Sequence, residues 1–113
     1  MAEFVAGAKP ARFVTVARVD DLAPGELLGA RLTGHAICLA NVDGRFYAVA
    51  ATCPHLGGPL AQGELEGSVL TCPWHMAQFN VRTGCVLRGP ARTDLATYEV
   101  RVVGDEIRVA VPE

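Results

Sequence analysis

Cys53 and His55 sit in the run Thr-Cys-Pro-His, and Cys72 and His75 in Thr-Cys-Pro-Trp-His, with sixteen residues between His55 and Cys72. The chain has only three histidines and four cysteines in 113 residues, so two of each stand in one short stretch. Thiolate sulfur and imidazole nitrogen are ligands of tetrahedral zinc and of iron–sulfur clusters. Order and spacing separate these options. Zinc sites of the Cys2His2 type pair cysteine with cysteine and histidine with histidine, the histidines often on a helix. Here each run supplies one of each. That distribution suits two irons lying between two loops, each loop giving a cysteine to one iron and a histidine to the other. From residue types alone, one zinc ion remains the alternative.

Such loops need strand ends to hold them. Phe13–Ala17 alternates apolar with small or polar residues. Ala36–Val42 and Phe46–Ala50 flank Asp43-Gly44, a pair suited to a tight hairpin because both positions tolerate positive φ. Tyr98–Val103 and Ile107–Val111 flank Gly104-Asp105 in the same manner. Val69–Thr71, Gln78–Val81 and Cys85–Leu87 read as shorter strands, with Thr83-Gly84 turning the last pair. Helical signal is confined to one turn at Val19–Leu22, ended by Pro24-Gly25. The expectation is an all-β fold, with the first Cys/His loop following Phe46–Ala50 and the second following Val69–Thr71.

Composition narrows the function. Half the residues are hydrophobic and the net charge is −2, as in a globular domain with no basic field for nucleic acid. The first residues lack the apolar core of a signal peptide, and no run is long enough to span a bilayer. A cytoplasmic protein that touches neither nucleic acid nor membrane is expected. In that reducing compartment cysteines serve as ligands or free thiols rather than as a disulfide framework.

The pattern CPHLGGPL…G.L.G..L.CPWH…F…TG…L.GPA resembles the Rieske iron–sulfur family, most closely its small soluble ferredoxins. The resemblance is tight from Arg45 to about Ala91 and looser in the flanking strands. It implies one [2Fe-2S] cluster, with Cys53 and Cys72 on the buried iron and His55 and His75 on the outer one. It also implies a single Rieske domain over residues 1–113: an antiparallel β-sandwich base with a small cluster-binding subdomain. The cluster loops would span about 51–60 and 71–79, and a proline loop about 88–92. Gly57 and Gly58 would let backbone pass close to the bridging sulfides. Two neutral imidazoles replacing thiolates raise the potential relative to all-cysteine clusters.

Departures from the family pattern tune that expectation. Gly58 and Trp74 occupy positions where high-potential members carry a disulfide, and Ala77 and Phe79 those where they carry a serine and a tyrosine. Fewer donors to sulfur stabilise the reduced cluster less, so the midpoint should lie near about −150 mV rather than about +300 mV. Met76 stands where glycine is common.

Other residues carry blander readings. Cys38 and Cys85 are expected to be buried or partly buried free thiols. His35 is expected at the surface or in a cap. Ser68, the only serine, lies in no nucleophile-elbow motif, which argues against a serine hydrolase. Glu64 and Glu66 read as a solvated turn, and Trp74 and Phe79 as packing for the loops. Leu56, Met76 and Pro90 would form an apolar collar.

The function these features imply is that of a soluble electron carrier and not an enzyme. As the resemblance has it, the chain passes electrons from an NAD(P)H-dependent flavoprotein reductase to a terminal aromatic-ring-hydroxylating oxygenase, docking transiently as a monomer. No dinucleotide fingerprint is present, and too few histidines remain for a mononuclear iron site. The rival reading is the small subunit of an assimilatory nitrite reductase. A third is an interaction module in which the metal is only structural.

Overall fold

The computed structural model describes residues 11–32, 34–53, 57–74 and 76–112. Among these described residues, eleven strands form three antiparallel sheets. The outer sheet has the order β1-β11-β10, built from Ala11–Arg18, Glu106–Pro112 and Val100–Val103. The middle sheet has the order β2-β3-β4-β9: Leu27–Leu32, His35–Val42, Arg45–Ala50 and Thr97–Tyr98. The third follows chain order, β5 Glu64–Glu66, β6 Val69–Thr71, β7 Gln78–Asn80 and β8 Val86–Arg88.

The middle sheet is buried on both faces, and its sequence says so. Side chains alternate sides along a strand. In β3, Ile37 and Leu39 pack with Ile107, Val109 and Val111 of the outer sheet. Cys38 and Ala40 pack on the opposite side with Leu70 and Phe79 of the third and with Val81 just after β7. Ala48 and Val49 of β4 divide the same way. One core holds the β-sandwich base together, and the other seats the third sheet against it.

Turn chemistry sets the registers. Asp43 (φ 52°) and Gly44 (φ 93°) make the two-residue β3–β4 turn, with Val42 opposite Arg45. Both central residues have positive φ, the geometry that matches strand twist. Gly104 (φ 63°) begins the β10–β11 turn, with Val103 opposite Glu106. Val19–Asp21 is a single 3-10 turn whose Asp21 carboxylate accepts the Arg18 N–H at 2.9 Å.

The expected strand at Tyr98–Val103 divides. Thr97–Tyr98 pairs with β4, whereas Val100–Val103 pairs with β11, so the chain changes sheet at Glu99. Tyr98 and Val100 both face the sandwich core, so period-two patterning runs unbroken across the switch. Two strands escaped the sequence reading. In β2, Gly29 and Arg31 interrupt the apolar pattern, and a Cβ at Gly29 would stand 3.1 Å from that of Ala61. Glu64–Glu66 is a strand rather than a turn, although both glutamates are exposed as expected. A second 3-10 turn, Leu60–Gln62, buries Leu60.

Candidate metal centre

Two loops carry the candidate ligands, and backbone hydrogen bonds close each at its base. In the first, Leu60 N–H donates to Ala51 O at 2.9 Å, and Thr52 bridges Pro59. Cys53 N–H donates to Gly58 O at 2.9 Å, and Gly57 N–H to Cys53 O at 2.8 Å. In the second, Thr71 pairs with Gln78, and Cys72 N–H donates to Ala77 O at 2.8 Å. Each candidate cysteine therefore stands at the last rung before its loop opens. His55 and His75 fall within the segments these rungs close. They lie outside the described residues, as do Pro54 and Leu56.

The fold brings the two cysteines together from β4 and β6. Both thiols are buried in the core shared with Ala77 and Phe79. Burial pushes the Cys72 thiol above its ordinary value, while the Trp74 N–H, 3.4 Å from its sulfur, works the other way. Cys53 adds to the rise through a hydrogen bond and charge repulsion, as adjacent thiols must. Removing those protons in favour of a metal relieves both effects.

Gly58 shapes the space beside them. It is buried, and a Cβ built there would stand 2.7 Å from Cys72 Sγ and 3.2 Å from both Trp74 Cβ and Cδ2. Only a residue without a side chain leaves that sulfur uncovered. Adjacent buried thiols, an N–H aimed at one sulfur and a glycine beside it together fit a sulfur-ligated cluster.

Several sequence expectations change here. Phe79 is fully buried, but Trp74 is 48% exposed. Its position in the turn after Cys72 gives the site a backbone N–H while its ring is left half in water. Sequence carries a weak signal for that donor, because the amide belongs to no residue type. Met76 is 57% exposed, with a left-handed φ of 65°. Glycine at that position would be free of the steric cost. Pro90 is exposed, and Gly89-Pro90 is a cis peptide. Next to it, Ala91 is buried in the same core as the two thiols.

Cys38 is a buried free thiol, its pKa pushed up to about 12 by burial. Cys85 is exposed rather than partly buried. Strand β8 starts one residue later than expected, so half-buried Val86 takes the inward position and Cys85 faces out. His35 opens β3 with its ring edge-on to Tyr98, 6.1 Å between centroids.

Residues 12–99 match the sequence profile of the Rieske [2Fe-2S] domain. This chain belongs to that family. Rieske domains bind a [2Fe-2S] cluster, and the sheets described above are the Rieske fold. The chain is 42% identical over 89 residues, 79% of its length and 83% of the relative's, to the ferredoxin component of biphenyl 2,3-dioxygenase from Rhodococcus jostii (strain RHA1). It aligns with TM-score 0.83 and 33% identity to a chain in the complex of reduced oxygenase and oxidised ferredoxin of carbazole 1,9a-dioxygenase, covering 87% of this chain and 92% of that one. A chain assigned as the small subunit of an NADH-dependent nitrite reductase from Mycobacterium tuberculosis aligns with TM-score 0.81 and 25% identity, covering 91% and 97%. Among the described residues of this Rieske domain, no helix is long and apolar enough to cross a membrane.

Proposed function

We propose that the chain is a one-electron carrier linking an NAD(P)H-dependent flavoprotein reductase to a terminal aromatic-ring-hydroxylating oxygenase. Cys53, His55, Cys72 and His75 hold its [2Fe-2S] cluster. The observation that carries this reading is the meeting of Cys53 and Cys72 at the closed bases of two loops, each with a histidine in its sequence. When bound, the cluster supplies reversible uptake of one electron. Buried Cys53 and Cys72 anchor it away from water, and the Trp74 N–H holds negative charge on the Cys72 sulfur. Gly58 leaves room beside that sulfur. The exposed Trp74 and Met76, on the loop that carries Cys72, offer apolar surface that sheds water when a partner docks.

The domain reading is residues 1–113 as one Rieske unit, with cluster loops about 51–60 and 71–79 and a proline loop about 88–92. The protein is cytoplasmic and monomeric in this reading, and its contacts with both partners are brief. The nitrite reductase reading keeps a claim because the fold serves it equally well. Four retained candidate ligands favour the carrier.

Low-temperature EPR of dithionite-reduced protein tests the site. A rhombic signal is expected, lost in His55→Ala and His75→Ala and kept in Cys38→Ser, with a midpoint near about −150 mV. A single zinc ion without inorganic sulfide would overturn the cluster. Reconstitution separates the two roles: the carrier delivers electrons to a ring-hydroxylating oxygenase, whereas the subunit supports only a sirohaem nitrite reductase.

A further inference from the structure

The β3–β4 turn and the turn after β7 meet on the surface in a groove of about 340 Å³, lined by Val42, Asp43, Arg45, Tyr47 and Arg82. Its two arginines come from segments far apart in sequence. Neither guanidinium makes an ion pair or side-chain hydrogen bond among the described residues, whereas Arg18, Arg101 and Arg108 are each paired with an acid.

Both arginines stand on firm backbone. Arg45 pairs with Val42 across the tight turn, and Tyr47 pairs with Ala40 in the centre of the sheet. Arg82 N–H donates to Asn80 Oδ1 at 2.9 Å, and neighbouring Val81 N–H donates to Ser68 O at 2.9 Å. Thr83 and Gly84 N–H groups both reach Asn80 O, at 3.3 and 2.6 Å.

We infer that this groove is a binding site for a phosphate-type oxyanion. Arg45 and Arg82, neither held in an ion pair among the described residues, line one groove with Tyr47, and guanidiniums are forked donors matched to a tetrahedral oxyanion. A phosphate group carries about 1.5 to 2 negative charges at neutral pH and at least three acceptor oxygens, enough for two guanidinium forks. A carboxylate has one charge and satisfies one fork. Asp43 is the opposing group: it lines the same groove, and its negative charge disfavours any anion that enters. The site lies away from the thiols. Five residue steps of about 3.3 Å along β4 separate Arg45 from Ala50 by roughly 17 Å, and Cys53 lies beyond. An anion held here leaves the cluster end free.

The test is a ¹H–¹⁵N NMR titration of the cluster-loaded protein with inorganic phosphate, ionic strength being held constant with chloride. Saturable shifts are expected in the amides of residues 42–47 and 80–84. Arg45→Gln and Arg82→Gln should each weaken binding about tenfold, the loss of one charge-assisted contact. Arg88→Gln, exposed and outside the groove, should leave it unchanged. Asp43→Asn, which suits the turn equally well, should tighten binding several-fold. Acetate should bind about tenfold more weakly than phosphate. Shifts that do not saturate, that map elsewhere or that survive both arginine substitutions would overturn the site. Equal affinity for acetate would overturn the phosphate assignment.

Discussion

Gly58 lies so close to Cys72 that a Cβ on it would stand 2.7 Å from the sulfur. Real Cβ atoms do not approach sulfur that closely, so Gly58→Ala must displace one of the two cysteine-bearing loops. We expect a loss of about 1–3 kcal/mol in stability, the usual cost of overpacking a buried site, together with reduced iron and sulfide per chain. Denaturant unfolding and metal analysis of the purified variant check both.

Met76 shows the opposite case, a side chain kept where the backbone prefers none. Its φ of 65° costs a non-glycine residue about 1–2 kcal/mol. Glycine there brings a compensating loss of about 0.5–1 kcal/mol in chain entropy. Met76→Gly should therefore unfold at an equal or higher temperature than the wild type. In the proposed carrier role it should still be reduced more slowly by a flavoprotein reductase, because an exposed thioether beside the loop is gone. Thermal melts paired with stopped-flow reduction separate the two effects.

The two remaining thiols should behave differently toward a thiol reagent. Burial disfavours the thiolate of Cys38, and with a pKa of about 12 only about one part in ten thousand is ionised at pH 8. Cys85 is exposed. Labelling of the folded, cluster-loaded protein should stop at one equivalent, lost in Cys85→Ser and unchanged in Cys38→Ala. Mass spectrometry of the labelled chain reads the result.

Glu106 sets part of the acid limb of stability. Arg108 donates to its Oε1 from Nη2 at 2.8 Å and from Nε at 3.1 Å, and Thr15 donates at 3.0 Å. These contacts hold its carboxyl below the usual value of 4.5, the Arg108 hydrogen bonds contributing most. A depressed folded pKa stabilises the protein above the unfolded value and stops doing so as pH falls through the folded one. The difference in melting temperature between wild type and Glu106→Gln should be constant above about pH 4.5 and shrink below it. Added salt should narrow it at neutral pH, since the pair is partly exposed.

Hairpins and candidate ligands were legible because they depend on local chemistry. Asp43-Gly44 and Gly104-Asp105 specify turns by the φ they tolerate. Ile37 to Ala40, apolar on both faces, announces a strand buried on two sides. β2 was hidden by Gly29, whose purpose is closeness to Ala61 across the fold. The sheet change at Glu99 was hidden because Tyr98 and Val100 serve one core from two sheets.

Sequence alone points to the family and proposes Cys53, His55, Cys72 and His75 as ligands, because ligand type and spacing are written in covalent order. Tertiary packing decided that Cys53 and Cys72 touch, that Gly58 must be small, that Trp74 offers its amide while its ring stays wet, and that Arg45 and Arg82 share a groove. All but the Trp74 amide, two residues from the sulfur it serves, join segments many residues apart. A distance of that kind comes from how sheets pack, and no local pattern of residues encodes it.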